Sequence, residues 1–390
     1  MNVQEKILKI EKNKKHNHDL LEFRSWLTEF MPNHVYLRKV QVAGTNGKGS
    51  TCQWMNRLMM NSGFNVGMFT SPHLLSHLER IQVNGKNISY EDWERIYDQY
   101  EAFFEEKQLT MFEVDLWMAI AYFLEKNVDL AIIEVGLGGR EDATTALDYL
   151  ATVITNIGMD HTELLGDSIE QITYEKSCIF KPGVYALTTE RKENSQRVME
   201  QIAGFIQTPL GFVELPYEIE DGKAKFEWMD NTYYLNPPFY QIDNLALALE
   251  TLSCIGVFLE KEAVQKSIDE FSWNGRFTQI SESPKIIIDG AHNPHGMEAL
   301  IQSIPEWNGN IYFSALKEKD VETMLAMLKV YNRPIILVSF ETERLYDLSK
   351  LNYPIISLDE LMKKIESKEE DMLICGSLYF VGAVLEKVNG

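Results

Sequence analysis

Short, almost continuous apolar runs alternate with longer helical patterns along most of the chain. DLAIIEVG (129–136) and ATVITNIG (151–158) are two such runs, each of strand length. Strands covered by helices on both faces have this composition, because neither face meets water. The alternation therefore predicts an α/β fold with a mostly parallel sheet.

The alternation is interrupted once and then resumes, which predicts two domains. Residues 211–240 alternate and carry turn signals, so hairpins are expected there. SWNGRF, residues 272–277, follows a helical pattern and is interpreted as a linker. Five further strand candidates then alternate with helical stretches. We expect an N-terminal domain over 1–271 and a smaller, doubly wound domain over 278–390.

Composition and charge exclude several classes of function. The 390 residues hold 37 Lys and Arg against 58 Asp and Glu, a formal net charge of −21. Nucleic acids and anionic membranes need a positive field, so neither is an expected partner. The four cysteines are scattered singly, which indicates neither a zinc site nor a disulfide framework. The N-terminus resembles no signal peptide, and no run is long and apolar enough to span a bilayer. We expect a cytoplasmic monomer.

A glycine-rich segment, GTNGKGS at residues 44–50, stands between a strand-like run and a helical pattern. It does not match the common phosphate-binding pattern G-x-x-x-x-G-K-[ST]. Backbone N–H groups at a helix N-terminus nevertheless bind anions, and glycines let the backbone approach them closely. Lys48 can reach a terminal phosphate, and the hydroxyl of Ser50 or Thr51 can meet magnesium. A plain turn is the alternative, but the strand-loop-helix context favours a phosphate site.

The segment GTNGKGS resembles the loop of the Mur ligase superfamily, and especially that of folylpolyglutamate synthase and dihydrofolate synthase. Other segments resemble the same family from about residue 38 onward. They are TSPHLLSHLERIQVNG (70–85), EVGLGGREDATTA (134–146), ITNIGMDHTELLGDSIEQITYEKSCIFKPG (154–183), WNGRF (273–277), IDGAHNPHG (288–296), SALKEKD (314–320) and CGSLYFVG (375–382).

The resemblance implies a P-loop ATPase-like N-terminal domain that binds ATP and folate, and a Rossmann-like C-terminal ligase domain. It implies an ATP- and Mg²⁺-dependent, ADP-forming ligase that adds L-glutamate to the γ-carboxylate of a reduced folate through an acyl phosphate. Dihydrofolate synthase, which joins dihydropteroate and glutamate, or a bifunctional enzyme stays open. A nucleotide-binding module without turnover is a further alternative, disfavoured because the metal-binding set is retained.

The resemblance also assigns site residues. The nucleotide set is Gly44, Thr45, Asn46, Gly47, Lys48, Gly49, Ser50, Asn244, Arg276, Asp289 and His292. The assigned magnesium ligands are Ser71, Glu134, His161 and a carbamylated Lys176. The assigned folate-binding residues are Arg80 and Asp142. Catalytic roles fall to Lys176, His161, Glu134 and Arg276, with the two domains closing over ATP to exclude water.

Each assignment has a plainer alternative. Glu134 could be a strand-end carboxylate facing water, and Lys176 a solvated lysine beside Glu175. Asn244 could be a helix N-cap, and Arg276 could form an interdomain salt bridge.

The chain departs from the family pattern at several positions. Leu116 stands in place of a threonine, Thr145 of an asparagine, Asn274 of a proline, and Tyr240 of a frequent histidine. Most of these positions belong to the pterin or adenine side, so we expect them to affect substrate choice more than the chemistry.

Overall fold

The computed structural model describes residues 3–12 and 18–389. The chain divides into two compact units. The first consists of Met1–Glu218, Lys225–Tyr234 and Ile242–Phe271, and the second of Ile219–Ala224, Leu235–Gln241 and Ser272–Gly390. The assignment of ATP and folate binding to residues 1–271 stays a prediction.

The first unit contains an eight-stranded, mostly parallel sheet. Its strands are β1 (Lys39–Ala43), β2 (Val66–Phe69), β3 (Ile81–Val83), β4 (Lys86–Asn87), β5 (Leu130–Glu134), β6 (Ala151–Ile154), β7 (Tyr185–Thr188) and β8 (Leu210–Phe212). The order is β4-β3-β2-β5-β1-β6-β7-β8. Strand β3 is antiparallel to both of its neighbours, and the other pairs are parallel. Strand β1 is therefore central, with β5 on one side and β6 on the other.

Helices occupy most of the connections of this sheet. They are α1 (Val3–Glu11), α2 (Leu20–Phe30), α3 (Lys48–Asn61), α4 (Tyr90–Lys107), α5 (Met111–Glu125), α6 (Thr162–Leu165), α7 (Ile169–Ser177), α8 (Glu193–Ile206), α9 (Gln241–Cys254) and α10 (Lys261–Asp269). Helix α5 is buried on every side from Glu113 to Phe123, in keeping with its nearly uninterrupted apolar sequence. Of the described helices, none combines the length and the hydropathy needed to cross a membrane.

The segment predicted to form hairpins contains a separate three-stranded sheet. Strands β9 (Tyr217–Glu220), β10 (Lys223–Trp228) and β11 (Asn231–Leu235) lie in the order β11-β10-β9. Two-residue connections join them, so the hairpins are present. The first residues of the predicted range instead belong to β8, an edge strand of the large sheet.

The second unit has a six-stranded sheet of its own, in the order β12-β13-β17-β14-β15-β16. Its strands are β12 (Thr278–Glu282), β13 (Lys285–Asp289), β14 (Asn310–Phe313), β15 (Ile335–Ser339), β16 (Ile355–Ser357) and β17 (Met372–Cys375). Its helices are α11 (Pro294–Ser303), α12 (Val321–Leu328), α13 (Leu358–Ser367) and α14 (Leu378–Asn389). Only the β12–β13 pair is antiparallel among the described pairs. The predicted α/β class, with a large sheet followed by a smaller one, is confirmed.

Candidate active site

The glycine loop connects the central strand β1 to helix α3. Gly47 precedes the helix with φ +85°, in the left-handed region, and Gly44 has φ +142°. A Cβ on Gly47 would lie 2.3 Å from Oδ1 of Asn244, and one on Gly44 would lie 1.8 Å from Oγ1 of Thr155. Both positions therefore require glycine, and the loop reaches the helix N-terminus in the form that suits a bound anion.

The segment after β6 fixes the shape of this loop. Thr45 N donates to the carbonyl oxygen of Asn156 at 2.8 Å, and Asn46 N donates to Oδ1 of the same residue at 3.0 Å. In return, Oγ1 of Thr155 donates to the carbonyl oxygen of Asn46 at 2.6 Å, and Gly158 N donates to Oγ1 of Thr45 at 2.9 Å. The loop is thus held in one conformation by the protein itself, which lowers the ordering cost of ligand binding.

A buried carboxylate supports that segment from the next strand. Glu190, just beyond β7, is 3% exposed and accepts from Ile157 N at 2.5 Å and from Lys192 N at 2.7 Å. Lys192 Nζ donates to the carbonyl oxygen of Ile157 at 2.7 Å. Both peptide groups of Ile157 are therefore fixed, and with them the path of the chain toward Asp160 and His161.

Lys176 lies in helix α7 and is 5% exposed. Its Nζ donates to the carbonyl oxygen of Gly44 at 3.0 Å. Burial and, to a smaller extent, the positive charge of Lys48 lower its pKa to about 7, against the carboxylates of Asp160 and Asp142. The alternative of a solvated lysine is therefore wrong: the amine is buried against the glycine loop, and a substantial fraction of it is neutral near pH 7.

The loop after β5 positions the helix that carries Lys176. A Cβ on Gly139 would lie 2.8 Å from the carbonyl oxygen of Glu175 and 3.0 Å from that of Lys176. Arg140 N donates to the carbonyl oxygen of Glu175 at 3.0 Å, and its guanidinium forms a 3.1 Å ion pair with the Glu175 carboxylate. The glycine lets the helix pack directly on the loop backbone.

Glu134 and Ser71 meet at the carboxyl ends of the neighbouring strands β5 and β2. Glu134 is 4% exposed, and its Oε2 accepts from Ser71 N at 3.1 Å. The alternative of a strand-end carboxylate facing water is therefore wrong. A buried carboxylate beside a serine hydroxyl supplies oxygen donors, which Mg²⁺ prefers.

His161 lies at the start of helix α6, with φ +51° and its side chain 47% exposed. Its Nε2 is 3.9 Å from Oδ1 of Asp160. Across residues 3–12 and 18–389, no three His, Cys, Asp or Glu side chains group together as a metal site. The predicted set needs no such group, because it draws on the Ser71 hydroxyl and on a modified Lys176.

Asp142 is bonded within its own loop. Its Oδ2 accepts from Gly136 N and Leu137 N, each at 3.0 Å, and its Oδ1 accepts from N and Oγ1 of Thr144 at 3.0 and 2.5 Å. Burial raises the pKa of this carboxyl, although the four donors oppose the rise. The structure gives Asp142 the part of a loop anchor, and its role toward folate stays a prediction.

Arg80 is also engaged, in a buried network. Its Nη1 donates to Oδ2 of Asp115 at 3.1 Å, and its Nε donates to Nδ1 of His73 at 3.1 Å. Oδ1 of Asp115 lies 2.7 Å from Nε2 of His77. Burial and the charge of Arg80 lower the pKa of His73 to about 4, so His73 is neutral and can accept this bond. The role of Arg80 toward folate likewise stays a prediction.

Asn244 lies inside helix α9, which begins at Gln241, so the alternative of an N-cap is wrong. It is 5% exposed, and its Oδ1 accepts from Oγ1 of Thr51 at 3.4 Å. The amide therefore lies against the first turn of α3, beside Gly47.

In the second unit, Asp289 ends β13 and is 3% exposed. Its Oδ1 accepts from Ala291 N at 2.8 Å, and its Oδ2 accepts from Phe277 N at 2.8 Å and the Tyr240 hydroxyl at 2.9 Å. His292 follows at the same strand end, with Nδ1 2.9 Å from the carbonyl oxygen of Gly290.

Comparisons with known proteins agree with this geometry. Residues 42–208 match the Mur ligase middle domain, and residues 275–375 match the Mur ligase glutamate ligase domain. The chain is 32% identical to the dihydrofolate synthase/folylpolyglutamate synthase of Bacillus subtilis, over 90% of this chain and 91% of that protein. The Escherichia coli protein of the same name is 33% identical, over 89% and 86%. The chain belongs to the dihydrofolate synthase/folylpolyglutamate synthase family of Mur ligases.

Solved structures of this family share the whole architecture. The Yersinia pestis bifunctional synthase with AMPPNP and Mn is 27% identical with a TM-score of 0.89, over 100% of this chain and 98% of that one. E. coli FolC with DHPP and ADP is 29% identical with a TM-score of 0.89, over the same shares. The predicted family and its enzyme class, ADP-forming ligases, are confirmed, while the roles of individual residues stay predictions.

Several residues that shape this family's site here were missed by sequence reasoning. They are Thr155, Asn156, Glu190 and Asp115. Glu190 carried a usable signal, because it is a carboxylate just after a strand, the rule that singled out Glu134. Asp115 lies in a largely apolar helix, and its partner Arg80 lies 35 positions away.

We expect Gly47→Ala to raise the dissociation constant for ATP by at least about tenfold, since the added methyl group would displace the Asn244 amide from the loop. Gly63→Ala is a matched control, because Gly63 has the same φ of +85° but nothing within 4 Å of an added Cβ. Both variants bear similar backbone strain, about 1–2 kcal/mol. Titration calorimetry that gave both variants the same ATP affinity would contradict the loop assignment.

Proposed function

We propose that this chain is an ATP-dependent ligase that joins L-glutamate to the γ-carboxylate of a reduced folate and releases ADP and phosphate. The observation that carries the proposal is the buried Lys176 amine, 3.0 Å from the Gly44 carbonyl oxygen of a glycine loop. A lysine in that place is suited to modification beside a bound triphosphate. The chain matches relatives that are named for this activity, over 91% and 86% of their length.

The reaction needs activation because a carboxylate is a poor electrophile. A γ-carboxylate oxygen attacks the γ-phosphorus of ATP, the bond to the β-γ bridging oxygen breaks, and an acyl phosphate and ADP result. The amino group of glutamate then attacks the acyl carbon and loses a proton. Inorganic phosphate leaves, and the amide remains. The protein's contribution is positioning and charge neutralisation rather than covalent chemistry.

The first unit supplies the phosphate cradle and the metal ligands in this proposal. Backbone N–H groups of residues 44–50 hold the triphosphate, the Lys48 ammonium neutralises it, and Asn244 serves the adenine side. Mg²⁺ would be held by Ser71, Glu134, His161 and carbamylated Lys176. When bound, it neutralises phosphate charge.

The second unit contributes Arg276, Asp289 and His292 to nucleotide binding. The Arg276 guanidinium suits a phosphoryl group because it presents several donors in one plane. Asp289 holds the turn that carries Arg276 through the Phe277 amide.

The environment of Lys176 supports the proposed carbamylation. The neutral amine attacks the carbon of CO₂ and loses a proton, so a cationic side chain becomes an anionic carbamate. The low pKa makes the neutral amine available near pH 7. The nearby charge of Lys48 disfavours a second cation and favours the carbamate that replaces it.

Dihydrofolate synthesis from dihydropteroate and glutamate is the second candidate. Relatives of the chain carry both activities in one name, and a matching E. coli structure holds DHPP. Leu116 and Thr145 depart from the family pattern, and we expect such departures to affect the choice between these substrates. The cytoplasmic location and the monomeric state stay predictions.

A substrate panel tests the proposed function. Phosphate release is measured with ATP, Mg²⁺ and glutamate, adding tetrahydrofolate or dihydropteroate in turn and omitting each component as a control. We expect turnover with tetrahydrofolate only when all components are present. If dihydropteroate supports turnover and tetrahydrofolate does not, the second candidate replaces the proposed function. Nucleotide binding without turnover on either substrate would refute both.

We expect Lys176→Ala to abolish ligation, and short carboxylic acids to restore part of the activity by placing a carboxylate where the carbamate lay. Lys39→Ala is the matched control. Lys39 is 1% exposed at the start of β1, and its Nζ donates to the carbonyl oxygens of His34 and Leu37. That variant should lose stability without responding to the acids. Full activity of Lys176→Ala would remove the carbamate from the mechanism.

The carbamate should also depend on pH. Only the neutral amine attacks CO₂, and with a pKa of about 7 its fraction falls from about 90% one unit above that pH to about 10% one unit below. We expect the carbamate signal of ¹³CO₂-equilibrated, metal-free protein to fall in the same way by NMR. Lys176→Arg should show no signal at any pH. A signal of constant intensity would contradict the lowered pKa.

A further inference from the structure

The turn that carries Arg276 is tied to the end of β13 on both sides of that residue. Gly290 N donates to the carbonyl oxygen of Gly275 at 2.8 Å, and Phe277 N donates to Oδ2 of Asp289 at 2.8 Å. The Gly275 carbonyl belongs to the peptide group directly before Arg276, and the Phe277 N–H belongs to the one directly after it. Its backbone therefore cannot rotate without breaking one of the two bonds.

The Arg276 side chain lies against the same end of strand β13. Its Nη1 donates to the carbonyl oxygen of Gly275 at 3.2 Å. A Cβ on Gly290 would lie 2.5 Å from that Nη1, so the missing side chain leaves the room that the guanidinium occupies.

Asp289 is the anchor on which this arrangement depends. Its carboxylate is 3% exposed, and such a group must be hydrogen-bonded to be tolerated in the interior. Phe277 and Ala291 donate main-chain N–H groups, whereas Tyr240 donates a side-chain hydroxyl to Oδ2 at 2.9 Å. Tyr240 and Phe277 thus share one carboxylate oxygen, and the hydroxyl helps to set where that oxygen lies.

We infer that Tyr240 is a positioning residue for Arg276: its hydroxyl fixes the Asp289 carboxylate, which in turn holds the turn that carries the guanidinium. The inference rests on the proposed function, in which Arg276 serves the nucleotide. Tyr240 itself need not touch a substrate. Its effect on the reaction is transmitted through two hydrogen bonds and one turn of backbone.

Tyr240→Phe tests the inference, because it keeps the ring and removes only the donor. We expect kcat/KM for ATP to fall about five- to tenfold, as for loss of one ordinary hydrogen bond, because the effect reaches Arg276 only indirectly, with KM for glutamate unchanged. Hydrogen–deuterium exchange of the peptide that contains the Phe277 amide should accelerate, because its acceptor is less well fixed. Unchanged exchange together with unchanged kinetics for ATP would overturn the inference.

Tyr331→Phe is the matched control within the same unit. The Tyr331 hydroxyl donates to the carbonyl oxygen of Ile304 at 2.7 Å, away from the Arg276 turn in the sequence and in the hydrogen-bond network. It should lose thermal stability without changing kcat/KM for ATP or the exchange of the Phe277 amide. An equal kinetic loss in both variants would mean that Tyr240 acts through general stability, against the inference.

A double-mutant cycle with Arg276→Lys separates this inference from the proposed function. If Tyr240 acts through Arg276, Tyr240→Phe should have little further effect on kcat/KM in the Arg276→Lys background. Fully additive losses would overturn the inference. Wild-type activity of Arg276→Lys would instead refute the role of Arg276 in the proposed function. The exchange measurement would still decide whether Tyr240 holds the turn.

Discussion

The hydrogen bond from Lys176 to the carbonyl oxygen of Gly44 joins two parts of the first unit that lie far apart in the sequence. One is the glycine loop after the central strand, and the other is helix α7. The amine lies where its charge is poorly solvated, and this burial, together with the positive charge of Lys48, lowers its pKa. Position and reactivity therefore have one cause, which is burial beside a loop that carries Lys48.

Buried polar groups fix the loops around this contact. Asp142 closes the loop after β5, Glu190 holds the segment after β6, and the Arg80–Asp115 pair fixes the segment that follows β2. Burying such groups is unfavourable unless each is hydrogen-bonded, and these carboxylates accept several bonds each. The result is a set of loops whose backbone is defined before any substrate arrives, which favours positioning as the main source of rate.

The second unit repeats this device on a smaller scale. Asp289, at the end of a parallel strand, binds the amides of Phe277 and Ala291 and the hydroxyl of Tyr240. Glu134 in the first unit and Asp289 in the second lie at the carboxyl ends of strands, where open α/β sheets bind their ligands. A departure from the family pattern at Tyr240 is therefore part of a connected structure rather than an isolated surface change.

Much of the fold and of the candidate site followed from the sequence. Short apolar runs of strand length alternating with helical patterns predicted the α/β class, because strands shielded on both faces have nearly continuous apolar sequences. The glycine loop and Glu134 stood in segments whose residue types and position after a strand indicated phosphate and metal chemistry, whereas the role of Lys176 came from the resemblance to the family. What only the tertiary structure decided is which groups are buried and with whom they pair. Lys176 as a solvated lysine and Asn244 as an N-cap were open from the sequence, since burial and the start of a helix depend on packing across the chain.

Arg80 with Asp115, and Tyr240 with Asp289, are separated by 35 and 49 positions. No local pattern encodes such pairs, because a hydrogen bond depends on where the folded backbone brings two atoms and not on their spacing along the sequence.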